Sequence, residues 1–321
     1  MRCFREIRIT YLVFLCLIGC FLLLTPAGAG EADNGVSAAV DINLIISRNI
    51  RPYLEASEAL RAALNASLKA DIHVYELFRY QGNARKSLAN QLTTQGQGAL
   101  FIAVGPEATA FLWQEAAPPN GRKLYSIVLN PDTVSPEVTP ECGVSLNIPP
   151  SLQIAAIGRC LPDARRIGIF YDPQFNAGFF AQADRAADVQ GVQLVPLQVS
   201  SKKDIPEVFS ASVQKLDAIW LIPDRTVISE SIAQYIIKQS ILQEVPVVGY
   251  NRFFYESGAT AAFVFDYAAL GRQTARMAIK RLEEGKCRYQ VPEFEVWINQ
   301  SVYKKLGIPL PALEKPLMVG P

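Results

Sequence analysis

Short apolar runs alternate with longer segments of helical period along most of the chain. Residues 39–47 read AVDINLIIS, a run short enough for a buried strand, and polar Arg48 and Asn49 follow it. In residues 52–68, Leu54, Ala59, Leu60, Ala63 and Leu64 recur near a helical period. Further strands are predicted at 72–78, 99–104 and 124–129, with helices at 84–95 and from 108 onward and a turn at 118–121. Strands and helices in strict alternation are the pattern of a doubly wound α/β unit.

The alternation is interrupted once and then restarts. Residues 133–141 are rich in Pro, Ser and Thr, and 143–148 form a short apolar run that Pro149 and Pro150 block from further strand pairing. A helix at 152–161 follows, then a strand at 166–171, a helix at 178–189 with Gly191 as its C-cap, and a strand at 192–199. A helix at 203–212 carries Pro206 in its first turn, where proline is tolerated. A strand at 218–222 is broken by Pro223, Asp224 and Arg225; Thr226 can cap the next helix, and a strand at 245–250 closes this βαβ unit. Residues 259–265 read as a strand that crosses between lobes, 267–284 as the best amphipathic helix, 293–298 as a last strand and 300–306 as a last helix.

The expected fold class is α/β, two doubly wound parallel-sheet lobes forming a clamshell. Three crossover segments near 142–150, 259–266 and 292–299 join the lobes. The expected division is 38–147 plus about 262–290 in the N-terminal lobe, and 148–261 plus about 291–321 in the C-terminal lobe. Residues 1–29 read as a signal peptide and 30–37 as a linker.

In such sheets ligands bind beyond the carboxyl ends of the strands. Polar and aromatic residues just past predicted strand ends are therefore the candidate ligand set: Ser47, Asn49, Gly105, Pro106, Glu107, Asn130, Asp132, Tyr171, Asp172, Asp224, Arg225, Tyr250, Asn251 and Asp266. Each has a plainer reading. Asx-Pro pairs and Gly105-Pro106 also turn the chain, Asp266 also caps the long helix, and Tyr171 also packs on the lobe edge. Asp224 offers a charge-assisted bond to an amine or hydroxyl, and Arg225 a bidentate clamp for a carboxylate. Gly105 to Glu107 opens a helix whose free N–H groups would accept an anion.

Charge and rare residues narrow the function. The net charge is +1 with both signs dispersed, so no footprint for nucleic acid exists. His73 is the single histidine and lies within a predicted strand, which leaves little for acid–base or metal chemistry. Neither Gly-x-Ser-x-Gly nor Gly-x-Gly-x-x-Gly occurs, and no cofactor is expected. Arg2, Arg5 and Arg8 precede an apolar stretch at 9–24, and Ala27-Gly28-Ala29 suits a signal peptidase; alternatively Leu17-Ile18-Gly19-Cys20 resembles a lipobox that would leave a lipidated Cys20. Either way the domain is expected on the extracytoplasmic side of the inner membrane. Outside the leader, Cys142, Cys160 and Cys287 permit at most one disulfide, whose partners the sequence leaves open.

The segments RIGIFYDP (166–173), DAIWLIPDRTVIS (217–229), VPVVGY (245–250), GATAAFVFDYAALGRQTARM (258–277) and VWINQSVYKKLGI (296–308) together resemble the substrate-binding proteins of bacterial ABC transporters, in the branch that includes tryptophan- and aromatic amino-acid-binding members. The resemblance covers about 151–308; before that, 104–109 and 130–132 sit where the family has its N-lobe ligand loops. It implies a type I periplasmic-binding-protein fold, a small-molecule ligand such as an amino acid, delivery to an inner-membrane permease, a monomer and no catalysis. Family members often carry Asp-Asn-Thr where this chain has Asp224-Arg225-Thr226, a departure that favours an anionic ligand group. The alternatives are a ligand-binding sensor subunit for a signalling receptor and, more remotely, a hydrolase on the same fold.

Overall fold

The computed structural model describes residues 39–311 and 317–319, apart from 96–97, 117–120, 136–140 and 228. The leader, the linker and the Cys20 anchor lie outside the described residues. The first lobe begins with β1 (Val40–Ile46), α1 (Arg51–Ser67), β2 (Ala70–Glu76), α2 (Gly82–Thr94) and β3 (Leu100–Val104). A short α3 (Pro106–Ala110) runs into one π-helical turn, and β4 (Arg122–Val128), α4 (Pro131–Val134) and β5 (Gly143–Ser145) complete the sheet. Its order is β2-β1-β3-β4-β5, all parallel. Strands buried on both faces read as near-continuous apolar runs. Ile42, Leu44 and Ile46 enter the core under α1, whereas Ile45 joins Phe101 and Phe111 on the other face.

The second lobe holds α5 (Pro150–Cys160), β6 (Arg166–Tyr171), α6 (Pro173–Val189), β7 (Gln193–Gln198), α7 (Ile205–Ser212) and β8 (Ala218–Leu221). It continues through α8 (Glu230–Leu242), β9 (Val247–Gly249), α9 (Arg252–Glu256) and β10 (Ala261–Val264). After α10 (Tyr267–Glu284) come β11 (Phe294–Ile298), α11 (Gln300–Lys305) and β12 (Leu317–Val319). The sheet order is β12-β11-β10-β9-β8-β6-β7. Its two faces carry separate cores, one around Trp220 and Phe263, the other around Phe170 and Ile236.

The long helix α10 belongs to the first lobe. Leu270, Met277 and Ala278 pack in the core of Ile42 and Leu44, and Thr274 exchanges a 2.7 Å hydrogen bond with Ser126 of β4. A Cβ on Gly271 would stand 2.2 Å from the Ala56 carbonyl oxygen, so α10 meets α1 at a distance only glycine allows. β10 stays with the second sheet through Val264, and the chain passes over at Phe265 and Asp266, later than the boundary expected near 262. Half-buried Phe265 packs on the cores of both lobes. The return explains a second departure. β11 pairs antiparallel with β10 and β12 antiparallel with β11, where a wholly parallel sheet was expected. A chain that leaves a sheet at one edge and re-enters at the same edge must run the opposite way.

The segment that follows α10 is fastened to β5 within the first lobe. Cys142, just before β5, forms a disulfide with Cys287, just after α10, across 145 residues of sequence. Beside it Gln290 N donates to the Gly143 carbonyl, and the Tyr289 hydroxyl donates to the Asn147 carbonyl while accepting from Ser145 Oγ. Among the described residues Cys160 is the unpaired cysteine, buried at the end of α5, where burial pushes its thiol up to about 11. Among the described residues no helix is long and apolar enough to cross a membrane.

Closing so long a loop restricts the unfolded chain strongly. The double variant Cys142→Ser, Cys287→Ser is expected to lose about 2–5 kcal/mol of stability, read as a lower denaturation midpoint. Reductant should bring the wild type to the same midpoint and leave the variant unmoved; equal midpoints for variant and oxidised wild type would refute a stabilising role.

Candidate functional site

A parallel sheet opens a crevice where two neighbouring strands send their crossovers to opposite sides. In the first sheet β1 leads through α1 to β2, while its neighbour β3 leads through α3 to β4 on the other side. In the second, β6 leads through α6 to β7 and its neighbour β8 leads through α8 to β9. The two switch points therefore lie beyond β1 and β3, and beyond β6 and β8. Ser47, Asn49, Gly105, Pro106 and Glu107 occupy the first; Asp172, Asp224 and Arg225 occupy the second. Asn130 and Asp132 follow β4, Tyr250 and Asn251 follow β9, and Asp266 follows β10, so these sit at carboxyl ends but away from the switch points.

At the first switch point the two loops bind each other. Buried Ser47 Oγ accepts from the Ala108 N–H at 2.8 Å, and Arg48 pairs with Glu107. Gly105 takes φ of +89°, and a Cβ there would meet Ser47 Oγ at 2.7 Å and the Tyr53 ring at 2.8 Å. Burial, and then the charge of Glu107, raise the Tyr53 phenol above its ordinary value. The expected anion site at the start of α3 is largely spent. Pro106 has no N–H, Ala108 donates to Ser47, and Thr109 N donates back to the Gly105 carbonyl. Asn49 is exposed beside it.

At the second switch point two buried carboxylates order both loops. Asp224 Oδ2 accepts from the Asp172 N–H at 2.8 Å and from Asn176 Nδ2 at 2.7 Å. Its Oδ1 accepts from the N–H groups of Thr226 and Val227. Asp172 caps α6 through Gln174 N and accepts the Thr226 hydroxyl at 2.6 Å. This corrects three expectations. Thr226 is not the cap of α8, a role taken by Ser229. The helix expected from 178 begins at Pro173, with a kink at Asn176 where that side chain turns to Asp224. Asp224, 1% exposed, has both oxygens engaged inside the lobe and so orders the loop rather than offering itself to an amine.

Other candidates take plainer roles as well. Tyr171 is in the core, stacked on Phe180 at 4.6 Å with its hydroxyl accepting from Gln198. Asn251 and Asp266 cap α9 and α10, and Asp266 also lies 3.6 Å from Arg272. Tyr250 packs on Phe254; burial, with Asp224 nearby, raises its phenol so that it stays protonated. Asn130 adopts a left-handed conformation with its N–H on Asn147 Oδ1, and Asp132 is exposed. His73 is held 3.1 Å from Asp41 between β1 and β2.

Arg225 differs from the rest. It is exposed, has no ion pair among the described residues, and lies over the Phe175 ring at 5.4 Å. Phe175, in the first turn of α6, is 46% exposed; Ile50 after β1 and Leu129 after β4 are 42% and 38% exposed. Ile50 and Phe175 border the two switch points, and Leu129 lies at the carboxyl end of the neighbouring β4. Ile50 and Leu129 are neither polar nor aromatic and Phe175 lies four residues past β6, so none is among the residues expected at strand ends, yet an apolar residue among polar strand-end neighbours is itself a sequence signal.

A family model described as "ABC transporter substrate binding protein" matches residues 126–314. A tyrosine-binding protein of Clostridioides difficile (strain R20291) is 25% identical over 155 residues, 46% of this chain and 44% of its own length. This match thus spans under half of that curated relative. Among solved structures, a ligand-free, open substrate-binding protein with adhesive properties from Clostridium difficile matches with TM-score 0.70 at 19% identity, covering 86% of this chain and 97% of the other. An ABC domain in complex with L-Trp from Streptococcus pneumonia matches with TM-score 0.54 at 19% identity and the same coverage. These structural likenesses establish the type I periplasmic-binding-protein fold.

Replacing Asp224 by alanine leaves four donors in a buried loop pair without their acceptor. The expected cost is about 2–4 kcal/mol of stability, measured as a lower melting temperature in the absence of any ligand. A melting temperature equal to wild type would show that the carboxylate does not hold these loops together.

Proposed function

Because this chain belongs to the ABC transporter substrate-binding protein family, we propose that it is an extracytoplasmic solute-binding protein that closes its two lobes on a small amino-acid-like molecule and presents it to a membrane permease. The observation that carries this reading is the pair of switch points, one per lobe, each with its two loops locked by hydrogen bonds and each exposing an apolar side chain, Ile50 or Phe175. Preformed loops of this kind suit a ligand with a small apolar body and a few polar ends. The ligands of two relatives, tyrosine in one and L-Trp in the other, point the same way.

Binding without catalysis is the reading the side chains favour. The single histidine is engaged with Asp41 on β1, away from the crevice loops, and the buried acids Asp172 and Asp224 are saturated by N–H and O–H donors. A general acid or base needs a free position against the substrate. Three crossovers between the lobes suit a hinge that opens and closes.

A thermal-shift series against the standard amino acids tests the reading. A ligand at a hundred times its dissociation constant adds about 2.7 kcal/mol to stability, so at least one apolar or aromatic L-amino acid should raise the melting temperature in a concentration-dependent way. Shifts produced only by sugars or nucleosides would refute the amino-acid assignment.

A further inference from the structure

The polar groups at the second switch point fall into two sets. Asp172, Asp224, Asn176 and Thr226 are occupied with one another, through bonds of 2.6–2.8 Å between side chains and loop N–H groups. Arg225 stands outside that network. No Lys or Arg nitrogen lies within ion-pair distance of either buried carboxylate among the described residues, so Arg225 is not consumed in neutralising them. Its charge is instead held over the exposed ring of Phe175. A guanidinium placed on an aromatic face keeps its in-plane N–H donors available, and these form a fork that fits a carboxylate. The ring steadies the fork without occupying a donor.

The same census bears on the other end of an amino acid. An ammonium group seeks a carboxylate that is not already satisfied. At the two switch points Asp224 has both oxygens engaged and Asp172 accepts one donor on each, whereas Glu107 pairs with Arg48 through Oε1 and leaves Oε2 buried without a hydrogen-bond partner.

We propose that Arg225, steadied by Phe175, is the specificity-determining residue of this cleft: it reads the ligand's carboxylate, so the cleft takes acids with an apolar body and rejects the matching amine that lacks the acid. This rests on the solute-binding reading above and narrows its ligand class. The requirement falls on the acid, since Arg225 is exposed and in no ion pair among the described residues.

Isothermal titration of the protein with three probes of one body decides it: L-phenylalanine, 3-phenylpropanoate and 2-phenylethylamine. The wild type is expected to bind the two acids and to leave the amine unbound. Arg225→Gln should weaken both acids on the order of tenfold or more, as loss of a charge-assisted bond requires. Arg225→Lys, which keeps the charge without the fork, should recover part of that loss, and Phe175→Leu should weaken the acids as well. Both side chains are exposed, so ligand-free melting temperatures should match the wild type and exclude misfolding. Acid affinities unchanged in Arg225→Gln, binding of the amine as tight as that of the acids, or no binding of either acid by the wild type would each overturn the proposal. Wild-type binding of amino acids with an indifferent Arg225→Gln would sink this inference alone; failure of every amino acid against the wild type would sink the solute-binding assignment too.

Discussion

A parallel strand can be reached only through a crossover, and parallel strands share one edge of the sheet for their carboxyl ends. The rest of this molecule follows from that constraint. In each lobe the second strand in sequence lies on one side of the first and the third on the other, so the crossovers diverge and leave a gap. The loops bordering the two gaps hold buried Ser47, the buried carboxylates of Asp172 and Asp224, and exposed Arg225. The antiparallel β11 obeys the same geometry, because α10 has been lent to the first lobe and the chain re-enters where it left.

Burying two carboxylates near each other is costly unless their lone pairs are filled. Asp172 and Asp224 meet that demand with backbone N–H groups, one amide and one hydroxyl, without a cation. The solution has two effects at once. It stiffens the loops after β6 and β8 into one piece, and it leaves Arg225 to the ring of Phe175 at the crevice. The first switch point reaches a similar stiffness by closer packing, with Gly105 set against Ser47 and Tyr53. Rigid loops on rigid sheets lower the cost of ordering a small ligand.

The lobes are joined asymmetrically. The chain entering crossover three runs beside β5 and crossover one, tied by Gln290 N on the Gly143 carbonyl and by the Tyr289 hydroxyl on the Asn147 carbonyl, with the Cys142–Cys287 disulfide holding its start in the first lobe, while crossover two passes alone through Phe265. Tying two of three strands narrows the ways the lobes can swing to motions that keep that pair together. In an oxidising compartment the bond would persist, and Cys160, buried with its thiol raised, stands apart from that chemistry.

Local pattern determined a good deal here. β6 and α10 fall where apolar periodicity places them, because Ile167 to Tyr171 and Leu270 to Ala278 meet only one kind of environment along their length. The list of strand-end residues could also be read off the chain, since a strand's end is a local event. What each of those residues does was decided by tertiary structure. Whether Asp224 faces a ligand or an N–H depends on Asp172 and Asn176, about fifty residues away in sequence and adjacent only because β6 and β8 are neighbours. Thr226 looked like a helix cap by spacing alone, and the nearby Asp172 carboxylate claimed its hydroxyl instead. The partner of Cys287 and the direction of β11 likewise rest on contacts between distant segments. Sequence specified the strands and their ends; pairing order decided which polar groups were spent on one another and left Arg225 exposed on Phe175.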